Sequence, residues 1–159
     1  MAVDMFLKIE GIKGESHDDK HKDEIQIESF GFGVAQHGGA THGGGMGAGK
    51  AQFQDINFTK QIDKASPMLM LHCANGKHIP QALLTVRKAG EKPQEYYKIK
   101  LSDIIVSSFN NAGTSHDMPH ESLTLHFTKI EFFYAEQKQD GTLGNTSQAG
   151  YDLKANKAV

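Results

Sequence analysis

Cysteine occurs once, tryptophan not at all and proline four times in 159 residues. A single thiol, Cys73, closes no intrachain disulfide, so the framework does not depend on an oxidising compartment and folding in the cytoplasm is expected. An excess of either charge is also missing. Seventeen Lys and Arg against 19 Asp and Glu leave a formal net charge of −2, which argues against a nucleic-acid-binding or membrane-surface protein and leaves little repulsion between copies of the chain. No apolar run approaches the length of a bilayer span, so membrane insertion is not expected. The start, Met1-Ala2-Val3-Asp4-Met5-Phe6-Leu7-Lys8, carries an acid and lacks the basic region and unbroken apolar stretch of a secretory signal peptide. Export, if it occurs, needs another route. The remainder, 38% hydrophobic and 23% charged, suits an ordinary globular protein, and the length suits one domain over residues 1–159.

The dominant pattern has period two. Val3, Met5, Leu7 and Ile9 share one parity while Asp4, Phe6, Lys8 and Glu10 share the other, as in a half-buried strand. Residues 14–23, with two histidines and several acids, read as an exposed loop. In the next stretch Ile25 and Ile27 give way to Phe30, Phe32 and Val34, so the phase changes and a bulge or bend is expected near Glu28 and Ser29. The same break falls between Phe53 and Ile56, between Leu101 and Ile104, and between Phe127 and Ile130. Strands that change faces partway along belong to a curled sheet. The expected fold is mainly β: a closed or nearly closed β-barrel of two packed antiparallel sheets.

One segment reads as a short flanking α-helix. Ser66 is placed to cap it, Pro67 is tolerated in its first turn, residues 68–74 contain no breaker, and Gly76 suits a left-handed terminator. A strand over about 78–88 follows, then a turn at 90–93 and a strand from near Glu95. Beyond Gln137 the chain is polar and glycine-rich until Tyr151-Asp152-Leu153-Lys154, which adds a last edge strand.

Several groupings resemble chemical sites. Glycines 44 and 49 followed by Lys50 have P-loop spacing, but Ala51 replaces the hydroxyl that holds magnesium and the following residues alternate like a strand. His116-Asp117-Met118-Pro119-His120 has the spacing of a zinc-protease pair, but Pro119 would break the helix that motif needs. His17 and His21 among acids read as a solvated cluster. Cys73 beside His72 projects away from it on a helix. Asp103, Ser107 and Ser108 lack the turn that presents a nucleophilic serine. No catalytic set, metal site or cofactor is therefore expected. The glycine segment reads instead as a long loop between strands: seven of the fourteen residues 37–50 are glycine, an arrangement costly to order in isolation and usually either functional or disordered.

The chain resembles the haemolysin-coregulated (Hcp) family of bacterial type VI secretion. The resemblance is carried by Ala2-Val3-Asp4-Met5-Phe6-Leu7-Lys8-Ile9 with Lys13-Gly14-Glu15-Ser16, by Gly47-Ala48-Gly49-Lys50, by Phe58-Thr59-Lys60-Gln61-Ile62-Asp63-Lys64-Ala65-Ser66-Pro67, by Gly76-Lys77-His78-Ile79-Pro80-Gln81-Ala82, by Thr85-Val86-Arg87-Lys88-Ala89-Gly90 and by Gly150-Tyr151-Asp152-Leu153-Lys154. It implies a structural tube subunit without enzymatic activity, forming homohexameric rings that stack into a tube. It also implies export through the secretion machine without a signal peptide, contractile-sheath and spike partners, effector cargo in the ring lumen and a part in virulence. By the same resemblance the extended loop is an assembly interface comprising Gly38, Gly39, Thr41, His42, Gly43, Gly44, Gly45, Met46, Gly47, Gly49 and Lys50. The competing reading from the residues alone is a small barrel that binds a sugar or lipid.

Overall fold

The computed structural model describes residues 2–36, 38–39, 47–48, 50–90 and 92–159. The first strand, β1 (Val3–Ile9), pairs along its whole length with β9 (Ile79–Lys88), which pairs with β10 (Gln94–Thr114), which pairs with β11 (Asp117–Gln137). The early half of β11 then pairs with β8 (Ile56–Gln61), and β8 with β3 (Ser29–Gly31). All of these ladders are antiparallel.

The circuit is joined by one bent segment. β2 (Ile25–Gln26) pairs with β1, Ile27 N–H donates to Met5 O at 2.9 Å, and one residue later Glu28 N–H donates to Thr59 O of β8, also at 2.9 Å. The chain passes there from one wall to the other, where the phase change at Glu28 and Ser29 predicted a bend. The result is the expected mainly β, nearly closed barrel of antiparallel sheets with one flanking helix.

A second bend lies at the same level in both long strands. Ser102 is opposite Lys129 and Ile104 opposite Phe127, so the inward set changes parity from Leu101 to Ile104 on β10 just where it changes from Phe127 to Ile130 on β11. Asp103, between them, has φ of 51°, and Thr128 Oγ1 donates to Ser102 O at 3.2 Å. Past this bend β11 exchanges its neighbour: Leu125 faces Ile56 of β8, whereas Lys129 faces Asp152 of β12 (Leu143–Asp152). β12 is eight residues longer on its N-terminal side than the short apolar return at Tyr151 suggests. Its polar residues are held by the backbone ladder to β11 and bury little, which left no periodicity to read. Among the described residues, the outer side of β12 carries only the two-residue β13 (Lys157–Ala158).

The interior is filled by the inward positions of these strands, with Leu7, Ile25, Ile56, Phe58, Leu84, Ile99, Ile104 and Leu125 at most 1% exposed. Each contributes roughly 1.5–3 kcal/mol by leaving water. Helix α1 (Ser66–Asn75) anchors to this core through Leu69, and Gly76 ends it with φ of 65°. Its start differs from the expectation. Ala65, not Ser66, is the capping position, because Asp63 Oδ1 accepts the Ala65 N–H at 2.9 Å and Ser66 Oγ turns back to accept the Asp63 N–H at 3.0 Å.

Residues 14–23 are only partly the solvated loop that their charges suggest: Glu15, His17, Asp19, Lys20 and Lys22 are exposed, but Gly14, Ser16 and His21 are buried. His21 is buried, its ring stacked on Phe6 at 4.5 Å, with Nδ1 2.8 Å from Glu24 Oε2 and Nε2 2.7 Å from Glu95 Oε1. Arg87 forks onto both oxygens of Asp18, reaches Asp4 Oδ2 at 3.5 Å, and lies 4.8 Å over the Phe6 ring. This loop is therefore bolted across the outer face of β1, β9 and β10. The hydrogen bond from Arg87 lowers the Asp18 pKa from 3.8 to about 2, against the opposing effect of burial. A depressed carboxylate stabilises the fold fully above the unfolded value near 3.8 and loses that contribution as pH falls through about 2. Acid titration followed by circular dichroism is accordingly expected to show a steeper loss of stability between these values in the native chain than in Asp18→Asn; equal slopes would contradict the assignment.

Candidate assembly site

The glycine-rich segment leaves and re-enters the barrel through a ladder in which β4 (Val34–Ala35) pairs with β7 (Gln52–Phe53). Farther out, β5 (Gly38–Gly39) pairs with β6 (Gly47–Ala48). The register differs by one residue between the two ladders, placing one extra residue on the returning strand between Ala48 and Gln52. In its described part the segment is thus a two-stranded antiparallel arm and not the open loop that its glycine content suggests. Paired backbones need no side-chain periodicity, and glycine supplies none. Of the sequence-predicted interface residues, Gly38, Gly39 and Gly47 are in the outer ladder and Lys50 is exposed between β6 and β7. Thr41, His42, Gly43, Gly44, Gly45, Met46 and Gly49 lie outside the described residues.

The root of the arm is fastened by aromatic rings. Phe53 lies 5.3 Å from Tyr151, stacked, and 6.3 Å from Phe127, edge on. Phe32 lies 5.9 Å from Phe127 and 5.6 Å from Phe132, and Gln54 N–H donates to Gly33 O at 2.9 Å. Such ring pairs contribute about 0.5–1.5 kcal/mol each beyond their area. The two ends of the arm are thereby held to β11 and β12, so the arm leaves the barrel from a rigid base.

The other groupings resolve as follows. Lys50 leads into β7 and not into a helix, so the dipole of a phosphate-binding turn is missing there. His116 lies in the turn joining β10 to β11 and His120 on β11, with His120 Nδ1 3.3 Å from Glu28 Oε2. His72 is buried in α1 and its pKa is lowered by burial first and by the Lys77 charge second. Sequence reasoning missed one arrangement of catalytic residue types. Ser107 Oγ donates to Asp55 Oδ2 at 2.7 Å, and His126 Nδ1 lies 2.8 Å from Asp55 Oδ1. The serine contacts the carboxylate and not the imidazole, so this histidine is not placed to take the serine proton as a triad requires. The set ties the start of β8 to the long hairpin.

Comparison with known proteins places this β-rich chain in a single family. Residues 6–134 match the family described as "Type VI secretion system effector, Hcp". The chain belongs to the Hcp family. It is 45% identical to protein hcp1 of Pseudomonas aeruginosa over 98% of each chain. Among solved structures, the crystal structure of Hcp1 from Salmonella typhimurium covers 100% of both chains at 41% identity with a TM-score of 0.83. A structure of a type six secretion system protein covers 99% of this chain and 100% of its own at 27% identity, with a TM-score of 0.93. This Hcp chain is accordingly a tube or effector protein of type VI secretion, a structural and secreted class. No helix among its described residues is long and apolar enough to cross a membrane.

Proposed function

We propose that this Hcp chain is the repeating subunit of a hollow secretion tube: six copies close into a ring, rings stack, and the arm spanning 34–53 makes the contact between them. The observation that carries this reading is the arm itself, a paired ribbon fastened at its root by Phe32, Phe53, Phe127 and Tyr151, in a chain so similar to Hcp proteins along its whole length. A ring of identical subunits needs two different patches that close by rotation, and stacking needs a further pair on the ring's two faces; a stiffly rooted arm suits the second. The chain would wait in the cytoplasm, be driven out with a spike by a contracting sheath, and hold effector proteins in the ring lumen.

Deleting residues 38–47 tests the reading. The inner ladder between Val34–Ala35 and Gln52–Phe53 remains, and surface loops tolerate shortening at small entropic cost. The shortened chain is expected to keep its melting transition and its ring mass. It should fail to form stacks and to appear in the culture medium. Undiminished secretion would contradict the role given to the arm.

A further inference from the structure

The barrel circuit has a notch. Because Met5 O accepts from Ile27, the odd residues of β1 direct their backbone groups away from β9; the Ala89 N–H bond to Ala2 O and the Glu10 N–H bond to Gln81 O show the even residues serving β9. On β8, Ile62 N–H bonds to Pro119 O toward β11 while Thr59 O accepts from Glu28 on the opposite side, so Gln61 directs its backbone groups away from β11. Beyond the bend at residues 27–28 nothing among the described residues pairs with Val3 or with Gln61 on these sides. The two open edges border one groove of about 330 Å³, lined by Val3 and Met5 on one wall and Gln61 and Asp63 on the other.

The groove is acidic. Asp4, Glu15, Glu28 and Asp63 line it. Asp4 shares Arg87 with Asp18, Asp63 shares Lys60 with Glu121, and Glu28 meets His120 at 3.3 Å. Glu15 accepts only the Lys64 backbone N–H, at 2.8 Å, among the described residues. An extended segment entering this notch would find backbone partners on its edges, as in strand addition. It would also need small side chains and no acids. Residues 36–54 of this chain contain no Asp or Glu, carry Lys50, and are glycine-rich through their middle.

We infer that the notch between β1 and β8 is the receptor for the arm of a second copy, which adds to the open β1 edge with Lys50 over the carboxylates. The inference rests on the proposed tube reading and names the surface that the arm engages. With Cys73 replaced by Ser, oxidation of the assembled double variant Gln26→Cys/Ala51→Cys is expected to give a ladder of disulfide-linked chains on a non-reducing gel. Stacks visible by microscopy without interchain links, or links only within one chain, would overturn the inference and leave the tube reading standing. Absence of any assembly would overturn both. A second variant, Val3→Pro, removes the Val3 N–H from the β1 edge of the notch at a strand's first residue, where proline is tolerated. It is expected to leave ring mass unchanged and to raise the concentration needed for stacking about tenfold or more, the equivalent of one lost hydrogen bond; unaltered stacking would count against the inference.

Discussion

Lys60→Met is expected to lower the unfolding free energy by about 3–5 kcal/mol, the range for removing one member of a buried ion pair. Lys60 is 0% exposed. Its ammonium donates to Glu121, to Asp63 Oδ1 at 3.0 Å and to Ser66 Oγ at 3.3 Å, which uses all three protons. Glu121 is 1% exposed, and the Asn111 amide, assigned by its hydrogen bonding to the orientation that turns its nitrogen toward the carboxylate, donates to the second oxygen at 3.0 Å. The cluster joins β8, β10, β11 and the start of α1. Removing the lysine alone strands a carboxylate in the interior, and a domain of this kind has only about 5–15 kcal/mol to lose. The double variant Lys60→Met/Glu121→Leu replaces the pair with apolar groups and is expected to recover most of the loss. Urea unfolding of the three proteins at one subunit concentration checks this, since assembly itself shifts apparent stability. A single-variant loss below about 1 kcal/mol would show that the pair is not buried as described.

Phe127→Ala is expected to cost about 3–5 kcal/mol, as for other large-to-small changes of a buried aromatic, and to do something a distant core change would not. Phe127 is 2% exposed and lies against both Phe32, just before β4, and Phe53, in β7. Its loss should accelerate amide hydrogen exchange at Ala35 and Gln52 relative to β1 and β9. Leu84→Ala, in the β9 wall, should destabilise the chain without that local preference. Equal acceleration in both variants would mean that the arm is not fastened through Phe127.

The bends were legible because phase changes in alternation are local. Ile27 to Phe30, Leu101 to Ile104 and Phe127 to Ile130 each mark a place where a strand must change faces, and at each the backbone bends or changes neighbour. The helix was legible from Pro67 and Gly76. The arm's pairing was not, since glycine carries no inside or outside, and β12 was not, since its ladder binds polar residues through their backbone. The buried charges went unread for a different reason. Lys60 continues the inward parity of Ile56 and Phe58, and Glu121 that of Leu123 and Leu125; the alternation marked them as core, but charge is ordinarily taken as exposure. His21, Asp18 and Arg87 come together from segments far apart in sequence, which no local pattern reports. Interface membership of the residues from Thr41 to Met46 stands on resemblance to the Hcp family.

Light scattering coupled to size-exclusion chromatography of the intact chain tests self-association most directly. The expected particle has about six times the 17.4 kDa chain mass, with larger multiples as concentration rises. A particle of one chain's mass at every concentration would contradict the account.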